Sequence, residues 1–185
     1  MADYLTEAEQ IALLKRIWKE YGIPAIVGIV IAATIVFGWR YYNQYRAEKA
    51  EVASLIYAHL MVDELNNQTE DALKQATLLQ EKYSSTPYAT LSSLLVAQQD
   101  VSLKKYDDAQ AQLQWVISHG VADAFKQVAR IRSAKIYIQE NQATKALTML
   151  SSVKEPSYQG FISLVEGDAY VQLNQTDKAR EAYQR

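Results

Sequence analysis

The sequence predicts an all-α protein: a single N-terminal transmembrane helix followed by an α-solenoid of about four helix pairs. Three observations predict it. Helix-forming residues are abundant among the 185 residues, whereas glycine and proline number only 6 and 3. An uncharged, apolar run extends from Tyr21 to Trp39. An alanine then recurs in four similar segments of the remaining chain.

The run from Tyr21 to Trp39 has the length and composition of a membrane span. As a helix it would cover roughly 28 Å at about 1.5 Å per residue, which is close to the hydrocarbon thickness of a bilayer. A soluble core helix would normally show one polar face. A cleaved signal peptide would have a shorter apolar run without a polar segment before it. We therefore predict an uncleaved anchor at residues 21–39, with Pro24 in its first turn.

Aromatic, basic and small residues mark the ends and one face of this anchor. Aromatic rings are enriched where a span meets the lipid headgroups, and small residues four apart let a neighbouring helix approach. The anchor and interface residues are Tyr21, Gly28, Ala32, Trp39, Arg40, Tyr41 and Tyr42. Membrane lipid is therefore an expected partner. Three basic residues flank each side of the run, so charge alone does not decide its orientation.

The segment at residues 1–20 has the pattern of an amphipathic helix. Four apolar residues fall on one helical face: Ile11, Leu14, Ile17 and Trp18. Such a helix lies against lipid headgroups or a partner. A second interpretation is a charged stop that only fixes the orientation of the anchor. The residues do not separate these two interpretations.

Residues 40–185 contain an internal repeat. Each copy has an alanine near the start of a predicted second helix, at spacings of 37, 37 and 33 residues: Ala72, Ala109, Ala146 and Ala179. Twelve residues before each alanine, a mostly small residue falls in a predicted first helix: Leu60, Ala97, Ala134 and Gly167. Small residues at these places let two antiparallel helices pack closely. The pattern predicts stacked helix pairs, with a helical bundle that lacks solenoid order as the alternative.

Apolar residues recur at matching places on the predicted first helices: Leu91, Leu94, Val128, Ile131, Phe161 and Leu164. In a solenoid these places would face a concave groove that holds an extended or helical peptide of a partner. Apolar pairs at helical spacing are also typical of a core. Both interpretations stay open for these six residues.

The composition points away from catalysis and from nucleic acid. Formal net charge is −2, and the basic clusters are too small to follow a phosphate backbone. There is no cysteine, and the two histidines, His59 and His119, have no neighbours at metal-ligand spacing. Phosphate-binding loops and hydrolase motifs are missing from the sequence. We therefore expect no catalytic site, no metal and no cofactor.

The repeat resembles the tetratricopeptide repeat. Tyr137 and Tyr170 match the aromatic position of its first helix, whereas Asp63 and Asp100 depart from it. The chain stops at Arg185, directly after the fourth predicted pair, and solenoids normally end in a capping helix with a polar outer face. We therefore expect a natural C-terminal cap to be missing.

Four segments resemble the YfgM family, the ancillary subunits of the bacterial SecYEG translocon: "LLKRIWKEYG", "GWRYYNQYRAEKAEVAS", "YATLSSLLVAQ" and "YDDAQAQLQWV". The resemblance covers essentially the whole chain. It implies a cytoplasmic N-terminal tail at residues 1–20, a bacterial inner-membrane helix at 21–39 and a periplasmic tetratricopeptide-repeat-like domain at 40–185.

The same resemblance implies a non-enzymatic scaffold for protein secretion. Its implied partners are the SecYEG translocon, a membrane-anchored periplasmic chaperone of the prolyl-isomerase type, and unfolded client polypeptides as they emerge. The alternative is a tetratricopeptide-type scaffold for another envelope system, such as cell-wall assembly or stress signalling. Both functions would use the same groove.

Overall fold

A computed structural model describes the backbone of residues 7–185 and the side chains from residue 10 onward, except those of residues 13 and 17. The described residues form helices and turns without strands, which confirms the all-α prediction. The helices are α1 (Glu7–Leu65), α2 (Thr69–Lys82), α3 (Pro87–Ser102), α4 (Tyr106–His119), α5 (Asp123–Gln139), α6 (Ala143–Leu150), α7 (Gln159–Gln172) and α8 (Thr176–Tyr183). A 3₁₀ turn, Pro156–Tyr158, precedes α7.

Helix α1 runs without a break from the tail, through the apolar run, into the first repeat. Pro24 therefore lies inside a helix, and its predicted place in a first turn is wrong. The helix continues because a single proline removes one backbone hydrogen bond, and a long flanking helix can tolerate that loss. In the predicted amphipathic tail, Ile11, Leu14 and Trp18 are exposed, and the side chain of Ile17 lies outside the described residues.

The chain divides into two compact units, Met1–Glu48 and Lys49–Arg185. In the second unit, four helix pairs follow one another, and consecutive helices from α2 to α8 pack together. The end of α1 forms the first pair with α2 through Leu60, which is buried with Ala72 and Ala76. First helices also contact one another, α3 with α5 and α5 with α7. This is the stacking expected of a solenoid.

The alanines that defined the repeat are core residues. Ala72, Ala109, Ala146 and Ala179 are all buried. The four positions twelve residues earlier are buried as well: Leu60, Ala97, Ala134 and Gly167. The last three pairs therefore meet at small side chains on both helices, which allow the close approach that the spacing predicted, whereas the first pair has Leu60 on its first helix.

The turn inside each pair has the same backbone conformation in all four pairs. One residue per turn has a left-handed backbone with φ between 56° and 59°: Asn67, Lys104, Asn141 and Asn174. The amide of the following residue donates to a carbonyl of the preceding helix over 2.8–2.9 Å in all four turns. This is the Schellman arrangement that ends a helix, and asparagine tolerates its positive φ better than most residues do.

Lys104 stands where the other three turns have asparagine, so Lys104→Asn should stabilise the second pair. We expect the free energy of unfolding to rise by about 0.5–1 kcal/mol, because lysine is strained in the left-handed region. Urea unfolding of the full chain in detergent, followed by circular dichroism, measures the change. The reciprocal Asn141→Lys should lower stability by a similar amount. Equal stability of all three proteins would contradict the prediction.

Candidate anchor and peptide groove

The aromatic and basic residues assigned to the membrane interface are exposed in the structure. Exposed rings lie at both ends of the apolar run: Tyr21, Trp39, Tyr41 and Tyr42. Within the run, a Cβ added at Gly28 would meet nothing within 4 Å, and Ala32 is also exposed. By length and composition, α1 contains one candidate membrane span. A surface this apolar is suited to lipid or to neighbouring membrane helices.

The second unit has a groove on the side formed by its first helices. A cavity of about 600 Å³ lies between α3, α4 and α5 and reaches α7, a size typical of ligand sites. Apolar residues line its floor: Ala97, Val101, Tyr106, Leu113, Ile136 and Ile138. Polar residues line its rim: Gln98, Arg132, Lys135, Gln139 and Asp168. This surface can accommodate apolar side chains beneath polar or charged contacts.

The six residues predicted for the groove are not equally accessible. Leu94 and Ile131 are buried, in separate clusters of the core. Leu91 and Val128 are half-buried. Phe161 and Leu164 are 58% and 49% exposed. For Leu94 and Ile131 the core interpretation is therefore the correct one.

Packing between successive helix pairs explains this difference in exposure. Leu94 shares its cluster with Ala129 and Ile136 of α5. Ile131 is covered in the same way by α7. Phe161 and Leu164 are on α7, the last first helix in the described chain, where only α8 follows.

The observed groove lies one helical turn farther along the same faces. Gln98, Lys135 and Asp168 each come four residues after Leu94, Ile131 and Leu164 respectively, and all three are exposed. The apolar pattern of the first helices did not indicate these positions, because their side chains are polar. The repeat register would have found them, since the three helices have a neutral, a basic and an acidic residue at one equivalent place.

Two of the rim residues, Arg132 and Lys135, are cations. The Arg132 guanidinium donates to the carbonyl oxygen of Leu94 over 3.2 Å, which holds it at the rim. In the described part of the chain, neither Arg132 nor Lys135 lies within ion-pair distance of a carboxylate. Unpaired cations on an apolar floor can attract an acidic or carboxylate-bearing ligand.

Asp168, at the α7 end of the groove, is held by a neighbour. The Tyr183 hydroxyl donates to Asp168 Oδ1 over 2.8 Å. Burial raises the pKa of Tyr183, and this hydrogen bond and the carboxylate charge raise it further. The tyrosine therefore stays protonated and keeps donating at neutral pH.

The departure at Asp100 changes the electrostatics of the second pair. In the last two pairs, a lysine amine lies over the tyrosine ring eight residues earlier, Lys145 over Tyr137 and Lys178 over Tyr170, at 5.7 and 5.6 Å. In the second pair the same two positions are Asp100 and Asp108.

Three carboxyl groups influence one another in this region: Glu64, Asp100 and Asp108. Burial raises the pKa of Asp100, the Asp108 carboxylate raises it further, and Lys105 lowers it. Burial also raises the pKa of Glu64, as does the charge of Asp100. In the second pair, repulsion between the Asp100 and Asp108 carboxylates thus takes the place of the cation–π contact of the later pairs.

The histidines have ordinary surroundings. His119 stacks on Trp115 with ring centroids 5.0 Å apart, and its Nδ1 lies 3.2 Å from the Trp115 carbonyl oxygen. His59 is exposed on α1. Among the residues that the structure describes, no group of three or more histidine or acidic side chains could hold a metal ion.

An anchor-like helix and a stack of four helix pairs with a groove define a class of repeat scaffold. The chain belongs to the tetratricopeptide repeat-like domain family, whose model matches residues 15–185.

Individual relatives of the chain indicate a narrower group than this repeat family. It is 29% identical to the ancillary SecYEG translocon subunit of Escherichia coli K12, over all of this chain and 88% of that protein. It is 27% identical to the subunit of the same name from Haemophilus influenzae, over all of this chain and 90% of that protein. The corresponding protein of Neisseria gonorrhoeae is 22% identical over 99% of this chain and 88% of its own. These relatives confirm the resemblance to the YfgM family. No solved structure matches the chain significantly.

Proposed function

We propose that this chain is a non-enzymatic scaffold of the bacterial inner membrane that associates with the SecYEG translocon and assists proteins as they emerge from it. One observation supports this most directly. Relatives that match the chain from end to end are named ancillary SecYEG translocon subunits. The repeat fold agrees with a role in binding proteins, because stacked helix pairs present extended surfaces for partners.

The proposed topology follows the order of the segments. Residues 1–20 form the cytoplasmic tail, residues 21–39 span the membrane, and residues 40–185 form the periplasmic domain. Anchoring by Trp39 and its neighbours would keep the groove close to the translocon exit. At such a high effective concentration, contacts that are individually weak suffice.

The groove is the proposed site for client polypeptides. Its apolar floor suits the hydrophobic side chains of an unfolded chain, while Arg132 and Lys135 suit acidic groups beside them. Leu91, Val128, Phe161 and Leu164 extend the same faces toward the other end of the first helices. A membrane-anchored prolyl-isomerase-type chaperone is the second proposed partner. It would act on clients that the scaffold holds nearby.

Crosslinking from single cysteines tests the proposal, since the natural chain has none. Trp39→Cys and Lys135→Cys are labelled with benzophenone maleimide in native membranes and irradiated. We expect translocon adducts from position 39 and adducts with emerging polypeptides or the chaperone from position 135. Gln114→Cys is the control, because Gln114 is exposed on α4, away from the groove lining, and should give few adducts.

The same variants test the orientation. A maleimide that does not cross the inner membrane should label Lys135→Cys in cells with a permeabilised outer membrane. Labelling only after the inner membrane is broken would overturn the periplasmic assignment. Adducts exclusively with cell-wall or stress-signalling proteins would favour the alternative scaffold function.

A further inference from the structure

The end of α1 has an exposed face that the groove does not use. Val52, Leu55, His59 and Val62 lie on one side of the helix, at the i, i+3, i+7 and i+10 spacing of a single helical face. Leu55 and Val62 are 61% and 53% exposed. We call these four residues the α1 edge face. It is opposite the side that packs on the domain through Ala53 and Leu60.

The internal repeat allows the burial of this face to be compared with that of the equivalent faces in the other pairs. The residues equivalent to Leu55 are Ser92, Ala129 and Ile162, and all three are buried. The residues equivalent to Val62 are Gln99, Ile136 and Ala169, of which the last two are buried and the first is half-buried. The positions of Leu55 and Val62 are thus buried or half-buried in every later first helix and exposed in α1 alone among the four. The position of Val52 is less uniform, since its equivalent Gln159 in α7 is exposed.

The cover is in each case the second helix of the preceding pair. Ala129 and Ile136 of α5 are buried together with three residues of α4: Ala109, Leu113 and Val116. Ile162 of α7 is buried with Ala146 and Leu150 of α6. Ala89 of α3, equivalent to Val52, is buried with Leu79 of α2. The covering helices α2 and α4 present a small residue followed by apolar residues four and seven positions later, and α6 presents Ala146 and Leu150 in the same way, with Val153 just beyond its end.

We propose that the α1 edge face docks a helix of a partner protein, which runs antiparallel to α1 and completes the solenoid at its first pair. The partner helix has a small residue followed four and seven positions later by larger apolar residues, as α4 has in Ala109, Leu113 and Val116. It also offers a polar group to His59, because covering an imidazole without a hydrogen-bond partner is costly.

A second copy of the chain fits this face poorly. The first helix of a second copy anchored in the same membrane would run parallel to this α1, whereas the covering helices inside the repeat are antiparallel to the helix they cover. The second helix of the fourth pair, α8, has charged residues along its exposed side: Asp177, Lys178, Arg180 and Glu181. Tyr183 is its one exposed large hydrophobic residue, which is little apolar surface for the edge face.

Thiol protection tests whether the face is covered in the native membrane. Leu55→Cys and Val62→Cys are alkylated with a polyethylene-glycol maleimide, first in native membranes and then as purified full-length chain in lipid nanodiscs. We expect alkylation to be at least about tenfold slower in native membranes and fast in nanodiscs. Leu65→Cys is the matched control, since Leu65 is 81% exposed and its equivalents Ser102, Gln139 and Gln172 are exposed too. Its rate should be the same in both settings.

Crosslinking identifies the occupant. A bis-maleimide at Leu55→Cys or Val62→Cys should link the chain to a helix of another protein with the small–large–large spacing, and mass spectrometry maps the linked residue. Leu55→Glu should abolish the adduct made from Val62→Cys, whereas Leu65→Glu should leave it unchanged. Circular dichroism verifies that both variants are folded.

Four results would overturn the proposal: fast alkylation of the edge face in native membranes, equal protection in nanodiscs without other proteins, a homodimer as the main adduct, or an adduct to a segment without that spacing. These outcomes are separable from the proposed function, because the Lys135→Cys adducts report on the groove alone.

Discussion

Leu113→Ala is expected to lower the free energy of unfolding of the repeat domain by about 2–5 kcal/mol, the usual range for a leucine truncated in a packed core. Leu113 is almost completely buried and belongs to the cluster that joins α3, α4 and α5. Its side chain also lines the groove floor. The substitution would therefore enlarge the groove from below while it weakens the centre of the domain. Urea unfolding of the full chain in detergent measures the loss.

Leu164→Ala is the matched control for this substitution. It makes the same change of side chain within a helix, but Leu164 is 49% exposed. We expect a loss of no more than about 1 kcal/mol, since little cavity is created. If both substitutions cost the same, the assignment of Leu113 to the shared core would be wrong.

Gly167→Ala is expected to destabilise the last helix pair by about 1–2 kcal/mol, in the range of an overpacked core. A Cβ at this position would overlap the ring of Tyr183. The ring would have to move away, and its hydrogen bond to Asp168 would be lost with it. The loss should appear in urea unfolding and as faster hydrogen exchange of α8 amides.

Gly160→Ala, in the same helix, should act in the opposite direction. A Cβ there meets nothing within 4 Å, so the substitution only removes the conformational freedom of glycine. A gain of about 0.5–1 kcal/mol is expected. The same sign for both variants would show that helix propensity, and not the contact with Tyr183, decides the effect at Gly167.

The groove shows how far the sequence could predict a site. Its side of the solenoid followed from the repeat register, since Leu91 and Leu94 lie on the same helical face as Gln98. Its residues did not follow, because apolar character along a helix does not distinguish a binding surface from a core. In the structure, apolar character at Leu94 and Ile131 marks contact with the next pair. The groove rim instead includes Gln98, Lys135 and Asp168, which are neutral, basic and acidic at one equivalent place of the repeat.

The sequence by itself determined the anchor-like run, the helical class, the period and the small residues at each helix crossing. These features depend on local composition and on spacing along the chain, and both can be read without coordinates. Only the tertiary structure decided which apolar side chains are accessible. Equivalent residues, such as Ile131 and Leu164, differ in exposure because a later helix covers one and not the other. Leu55 is exposed for the corresponding reason at the first pair, where no second helix precedes α1 within the described chain.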